Sequence, residues 1–103
     1  MKIGIFDSGL GGLYTMKGIV KKLPQYDYVY LGDTKRLPYG KRSSAVIYEF
    51  LRESIEFLFA KQCIIVVVAC NTASAEALRQ LQQEYLPKKF PNRKVLGVII
   101  PTV

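Results

Sequence analysis

The run Ile64-Ile65-Val66-Val67-Val68-Ala69 constrains this chain more than any other feature. Six consecutive apolar residues, mostly β-branched, offer no polar face to solvent, so the segment reads as a strand buried on both sides of its sheet. A strand of that kind belongs to a parallel sheet, whose neighbours are joined by long crossovers that are usually helical. The rest of the chain supplies them. Residues 2–6 form a first short apolar strand followed by turn residues. Leu13, Met16, Ile19, Val20 and Leu23 then recur at helical spacing before Pro24 ends the segment. Residues 27–31 read as a second strand, and residues 32–40 hold too much Gly, Pro and charge for a core element. Ser43 or Ser44 caps a long helix to about Lys61, with Val46, Ile47, Phe50, Leu51, Ile55, Leu58 and Phe59 on its apolar side. After the third strand, over 64–69, the pattern predicts a helix over 72–85, a polar connection over 87–94 and a fourth strand over 95–99.

This order predicts an α/β fold, an open doubly wound parallel sheet of about four strands with right-handed crossovers and helices on both faces. At 103 residues and 50% hydrophobic, the chain holds one domain with a single core. No closing helix follows the fourth strand, so one sheet edge is expected to meet a missing second half or a second copy in a homodimer. Fifteen Lys and Arg against 8 Asp and Glu give a net charge of +7, which suits an anionic partner. Lys21-Lys22, Lys88-Lys89 and Arg93-Lys94 fall at helix ends or before the last strand, and read as a solvated rim that partly complements helix C-termini. Lys35-Arg36 and Lys41-Arg42 flank Leu37-Pro38-Tyr39-Gly40, where they either draw a carboxylate or are plain surface charge. Cys63 and Cys70 lie about 20 Å apart within one strand and cannot pair with each other. Free thiols, and a chain that opens directly into a strand, point to the cytoplasm. Nothing approaches membrane-spanning length.

In sheets of this type ligands bind beyond the strand C-termini, beside the switch in strand order. Asp7-Ser8-Gly9 follows the first strand, Asp33 the second, and Cys70 ends the third. Gly9, Gly11 and Gly12 permit a tight turn that can cradle an anion. The dinucleotide fingerprint fails at its third glycine, where Tyr14 stands, and Gly40-Lys41 lacks the flanking residues of a phosphate loop. Cys70 stands between a buried strand and a helix N-terminus, a place that favours the thiolate. The same position also suits a small apolar residue closing a strand, a reading its polar neighbours weaken, with Asn71, Thr72 and Ser74 acting as ordinary caps or as ligands for a small polar molecule. Asp7 either tidies its turn or serves as a proton partner of Cys70 or an anchor for an ammonium. Cys63, at the beginning of its strand, reads as structural. The chain has no histidine, which excludes a Cys-His pair within it, and two cysteines at this spacing make no zinc motif.

Three motifs in order then carry a resemblance. Ile3-Gly4-Ile5-Phe6-Asp7-Ser8-Gly9-Leu10-Gly11-Gly12-Leu13, Tyr30-Leu31-Gly32-Asp33 with Leu37-Pro38-Tyr39-Gly40, and Val68-Ala69-Cys70-Asn71-Thr72-Ala73-Ser74 resemble the glutamate racemases of the aspartate/glutamate racemase superfamily. The resemblance spans the whole chain but only about the first half of the family's protein. It implies the N-terminal α/β domain, over 1–103, of a two-domain, cofactor-independent enzyme that interconverts L- and D-glutamate for peptidoglycan synthesis. It also implies that Cys70 is one of two thiols on opposite sides of the substrate, one removing the α-proton and the other returning one. By the same matching Asp7 and Ser8 border the substrate amino group and assist that thiol. Pro38, Tyr39 and Gly40 line the pocket, and Asn71 and Thr72 hold the carboxylate and amino ends. The family's second cysteine belongs to its second half, and Cys63 sits at the wrong end of the strand to replace it. The expectation is that these 103 residues alone are inactive or barely active. Tyr14 in place of a small Thr, and Ile100 in place of Glu before Pro101, depart from the family pattern and leave room for an aspartate or other acidic amino-acid racemase. A basic ligand- or nucleic-acid-binding module is the reading from another class, but the chain lacks the basic stretch interleaved with aromatics that single-strand binders use.

Overall fold

The computed structural model describes residues 1–7, 12–32, 43–70 and 72–99; Ser8, Asp33, Pro38, Tyr39, Gly40 and Asn71 lie outside the described residues. Four strands follow the sequence periodicity: β1 (Lys2–Asp7), β2 (Asp27–Gly32), β3 (Cys63–Cys70) and β4 (Lys94–Ile99). They pair in parallel in the order β2-β1-β3-β4, so the doubly wound sheet is present and its switch in strand order falls between β1 and β3.

Helix α1 (Gly12–Lys22) connects β1 to β2, and α2 (Ser44–Ala60) connects β2 to β3. Ser43 caps α2, its hydroxyl accepting from the Val46 N–H at 3.3 Å. The two sheet faces are covered unequally. On one, Phe6, Val66 and Val68 pack with Ile47, Leu51, Ile55 and Leu58 of α2, each fully buried aliphatic contributing about 1.5–3 kcal/mol. On the other, Ile3, Ile5 and Val67 pack with Ile19 of α1 and with Tyr26, Tyr28 and Tyr30. Helices on both faces are thus as expected. Val46, expected on the apolar side of α2, is exposed instead.

The connection from β3 to β4 departs from the predicted single helix. Helix α3 (Thr72–Gln80) widens into a π-helical turn (Leu81–Tyr85), where the Leu86 N–H bonds back to the Leu81 carbonyl, and a short helix α4 (Leu86–Lys89) occupies the predicted polar connection. Pro87 has no N–H to continue an α-helical ladder, and a π turn just before it absorbs that break. The side chain of Gln82, in that turn, donates to the Val95 carbonyl at 2.6 Å and covers part of the β4 edge. Leu96 and Val98 on β4 remain exposed.

Arg93 is the other correction. Its guanidinium turns inward rather than joining the rim, donating to the Phe59 carbonyl at 3.3 Å and to the Cys63 carbonyl while lying 5.1 Å from the Phe59 ring. It thereby complements the carbonyl end of α2, a role the sequence assigned to some of these cations. No helix among the described residues is long and apolar enough to cross a membrane.

Candidate active site

Parallel pairing brings the C-terminal ends of all four strands to one edge of the sheet. Asp7 ends β1 and pairs in register with Gly32 of β2 on one side and Ala69 of β3 on the other. Cys70 is the next residue of β3, paired with Ile99 of β4, and α3 begins two residues later at Thr72. The backbone positions of Asp7 and Cys70 therefore sit on adjacent strands at the switch point, with the positive end of a nine-residue helix beside the cysteine. Among the expected site residues these two, with the start of α3 at Thr72, are brought together. Ser8, Pro38, Tyr39, Gly40 and Asn71 lie outside the described residues.

Asp7 is 4% exposed. A charged carboxylate at that burial needs donors, and one is the Tyr30 hydroxyl, which donates to Asp7 Oδ2 at 3.3 Å. Tyr30 was missed as a site residue because its relation to Asp7 depends on register: Tyr30 is the partner of Ile5, two residues before Asp7 on the same face. Alternation along the two strands is the signal that could have found it. The Tyr30 phenol is pushed above its ordinary value of 10.0, first by burial and then by the charge and hydrogen bond of Asp7.

Cys63 behaves as the buried structural thiol the sequence implied. It is free and inaccessible, and burial raises its thiol above 9.0 against the smaller lowering pull of Lys2 and Arg93. A protonated, enclosed thiol is a poor nucleophile. A bulge in β3 opposite Lys2 and Ile3 turns Cys63 to the α2 face, beside Val66. Among the described residues no three His, Cys, Asp or Glu side chains gather as a metal site. A groove of about 460 Å³ lined by Gln82, Leu86, Phe90, Arg93 and Val95 lies at the beginning of β4, at the opposite end of the sheet from Asp7 and Cys70.

No family model matches the chain. Individual proteins do. It is 46% identical over 100 residues to the glutamate racemase of Synechocystis sp., a match covering 97% of this chain and 34% of that protein. The glutamate racemase of Aquifex pyrophilus superposes with a TM-score of 0.80 at 52% identity, over 94% of this chain and 36% of that one. By sequence and fold, the chain is similar to part of the glutamate racemases. A third relative, the Escherichia coli glutamate racemase solved with L-glutamate and the activator UDP-MurNAc-Ala, superposes at 0.73 with 34% identity. The chain spans about a third of the length of the glutamate racemases it matches.

Proposed function

We propose that this chain is the N-terminal α/β domain of an enzyme that racemises glutamate without a cofactor, with Cys70 as one of its two acid-base thiols. The observation that carries the reading is the pairing of strand ends: a buried carboxylate closes β1 where the strand order switches, and Cys70 closes the neighbouring strand two residues before a helix begins. A helix N-terminus stabilises a thiolate, and Asp7 is placed to take up or hold a proton nearby. The Cα–H bond of glutamate breaks as its proton passes to one sulfur, the electron pair spreads into the carboxylate, and the other thiol delivers a proton to the opposite face. No net oxidation occurs. The second thiol comes from the length of the relatives this chain does not span, and Cys63, sealed at the far end of β3, does not supply it.

Under the same proposal Ser8 borders the amino group, Pro38, Tyr39 and Gly40 line the pocket, and Asn71 and Thr72 hold the polar ends of the substrate. The exposed Leu96 and Val98 offer apolar contact to the remaining length of the protein or to a second copy. The unpaired Cys63 suits a reducing cytoplasm, and the D-glutamate formed suits peptidoglycan synthesis. The similarity to an enzyme solved with L-glutamate favours glutamate over aspartate.

The test joins residues 1–99 to the remaining part of the Aquifex pyrophilus enzyme and follows glutamate inversion by optical rotation. Cys70→Ala should lower kcat by on the order of a hundredfold to ten-thousandfold, the scale of a lost acid-base group. Inversion undiminished in that variant, or efficient inversion by the 103-residue chain alone, would overturn the reading.

A further inference from the structure

We infer that Tyr30 is a positioning residue for Asp7, holding the carboxylate in one orientation at the strand-end site through the hydroxyl bond to Oδ2. The inference rests on the proposed pairing of Asp7 with Cys70. Its geometry comes from four residues on one sheet face. Ile5 is the register partner of Tyr30, and Gly32 that of Asp7, so the phenol runs diagonally from β2 toward the end of β1 across the place where a side chain at 32 would stand. A Cβ at Gly32 would lie 3.2 Å from Tyr30 Cε1 and 3.5 Å from its hydroxyl oxygen. The missing side chain at 32 is therefore what gives the ring its path. At 3.3 Å the bond is long for a hydroxyl donor, so the seating of the ring, more than the strength of the bond, sets where the oxygen points.

The neighbouring tyrosine supplies a contrast. Tyr28, two residues earlier on the same face, donates its hydroxyl to the Leu23 carbonyl at 2.6 Å and so fastens the end of α1. Phenylalanine at 30 would pack against the same apolar surface as tyrosine, and the hydroxyl of Tyr30 adds a bond to Asp7. Because burial and the nearby carboxylate both keep the phenol protonated, it remains a donor across the range in which a thiolate would work. A carboxylate fixed by a donor on one oxygen loses its rotation about Cβ–Cγ, which is the purpose of a supporting shell around a reacting group.

The experiment uses the 103-residue chain and follows alkylation of Cys70 by iodoacetamide as a function of pH, the buried Cys63 reacting far more slowly. Asp7→Asn should change the Cys70 rate at neutral pH by about tenfold, the equivalent of one pKa unit, and Tyr30→Phe should move the profile in the same direction by about threefold. Far-UV circular dichroism should be unchanged in both. In parallel, Asp7→Asn should lower the pH at which the Tyr30 phenolate appears by ultraviolet absorbance. If Asp7→Asn moves the Cys70 profile and Tyr30→Phe does not, or if Tyr30→Phe only lowers thermal stability, the role assigned to Tyr30 is wrong and the proposed site stands. If neither variant moves the profile, the pairing of Asp7 with Cys70 itself fails. A Tyr30 titration indifferent to Asp7→Asn would show that the contact does not operate in solution.

Discussion

Single atoms decide how closely α2 approaches the sheet. Gly4 in β1 faces Leu58 of α2 and Cys63 of β3, and a Cβ there would come within 3.2 Å of Leu58 Cδ1 and of Cys63 Sγ and within 3.3 Å of Leu58 Cβ. Leu58 and Cys63 are both wholly buried, and the Cβ of Leu58 cannot rotate away. Gly4→Ala should therefore destabilise the fold by about 1–3 kcal/mol, the usual cost of overpacking a core. Removing one of the obstacles should return part of that loss, so Gly4→Ala with Cys63→Ala should be less destabilising than the two single changes added together. Urea unfolding of the four proteins measures the coupling. Additive losses would mean that the sulfur and the new methyl do not compete for space. The same bulge that creates this contact explains a limit of sequence reading: strict alternation puts Cys63 on the face of Ile65 and Val67, and one extra residue in β3 puts it on the other.

Among the elements, the turn from α2 into β3 carries a local conflict. Gln62 follows the C-cap Lys61 with φ of 69°, a left-handed conformation that stops the helix but costs a residue with a Cβ on the order of 1 kcal/mol. Its N–H bonds the Phe59 carbonyl at 2.9 Å, so the turn is fully engaged despite the strain. Gln62→Gly should raise stability by up to about 1 kcal/mol, less what glycine adds to the entropy of the unfolded chain. Thermal and urea melts that leave stability unchanged or lower would show that the long Gln side chain contributes more than its backbone costs. This turn marks what the sequence made legible and what it did not. The four strands, their order of appearance, the Ser43 cap and the strand-end positions of Asp7 and Cys70 follow from apolar runs bounded by turn residues. The widened turn at 81–85 and the short helix after it were hidden, because Pro87 usually signals a stop and here is absorbed by a change of helical pitch. Tyr30 was hidden because a side chain reaching across a glycine to the next strand is a property of register, and register is settled only when the sheet assembles.

For the whole molecule the limit to stability should lie on the alkaline side. Cys63, Tyr30, Tyr48 and Tyr85, spread over both faces of the sheet, all ionise above their ordinary values in the folded chain, and in each case burial is the leading cause. A raised folded-state value means that the native protein keeps a proton the unfolded chain gives up. Stability from these groups is then fully present below the unfolded values of 9.0 for the thiol and 10.0 for the phenols, and is lost as pH rises through the folded values. On the acid side Glu49 has the opposite sign. Its hydrogen bond from Arg52 holds the carboxyl below 4.5, but the pair is exposed on α2 and screened by water, so little depends on it. One effect opposes the alkaline loss: a chain carrying a net charge of +7 loses that charge as the pH rises toward its isoelectric point of about 9.5, which relieves its self-repulsion. That relief acts between exposed charges and fades in salt, whereas the buried thiol is little screened and the half-buried phenols are screened less than surface charges. The unfolding free energy, measured by urea titration in added salt, should therefore be level up to about pH 9 and then fall by at most ~1.4 kcal/mol per pH unit for each proton the native state retains. Tyr30→Phe removes one such proton and should make the fall shallower even if it lowers the plateau. A plateau that continues well above pH 10 would mean that these groups are as free to ionise in the native chain as in the unfolded one.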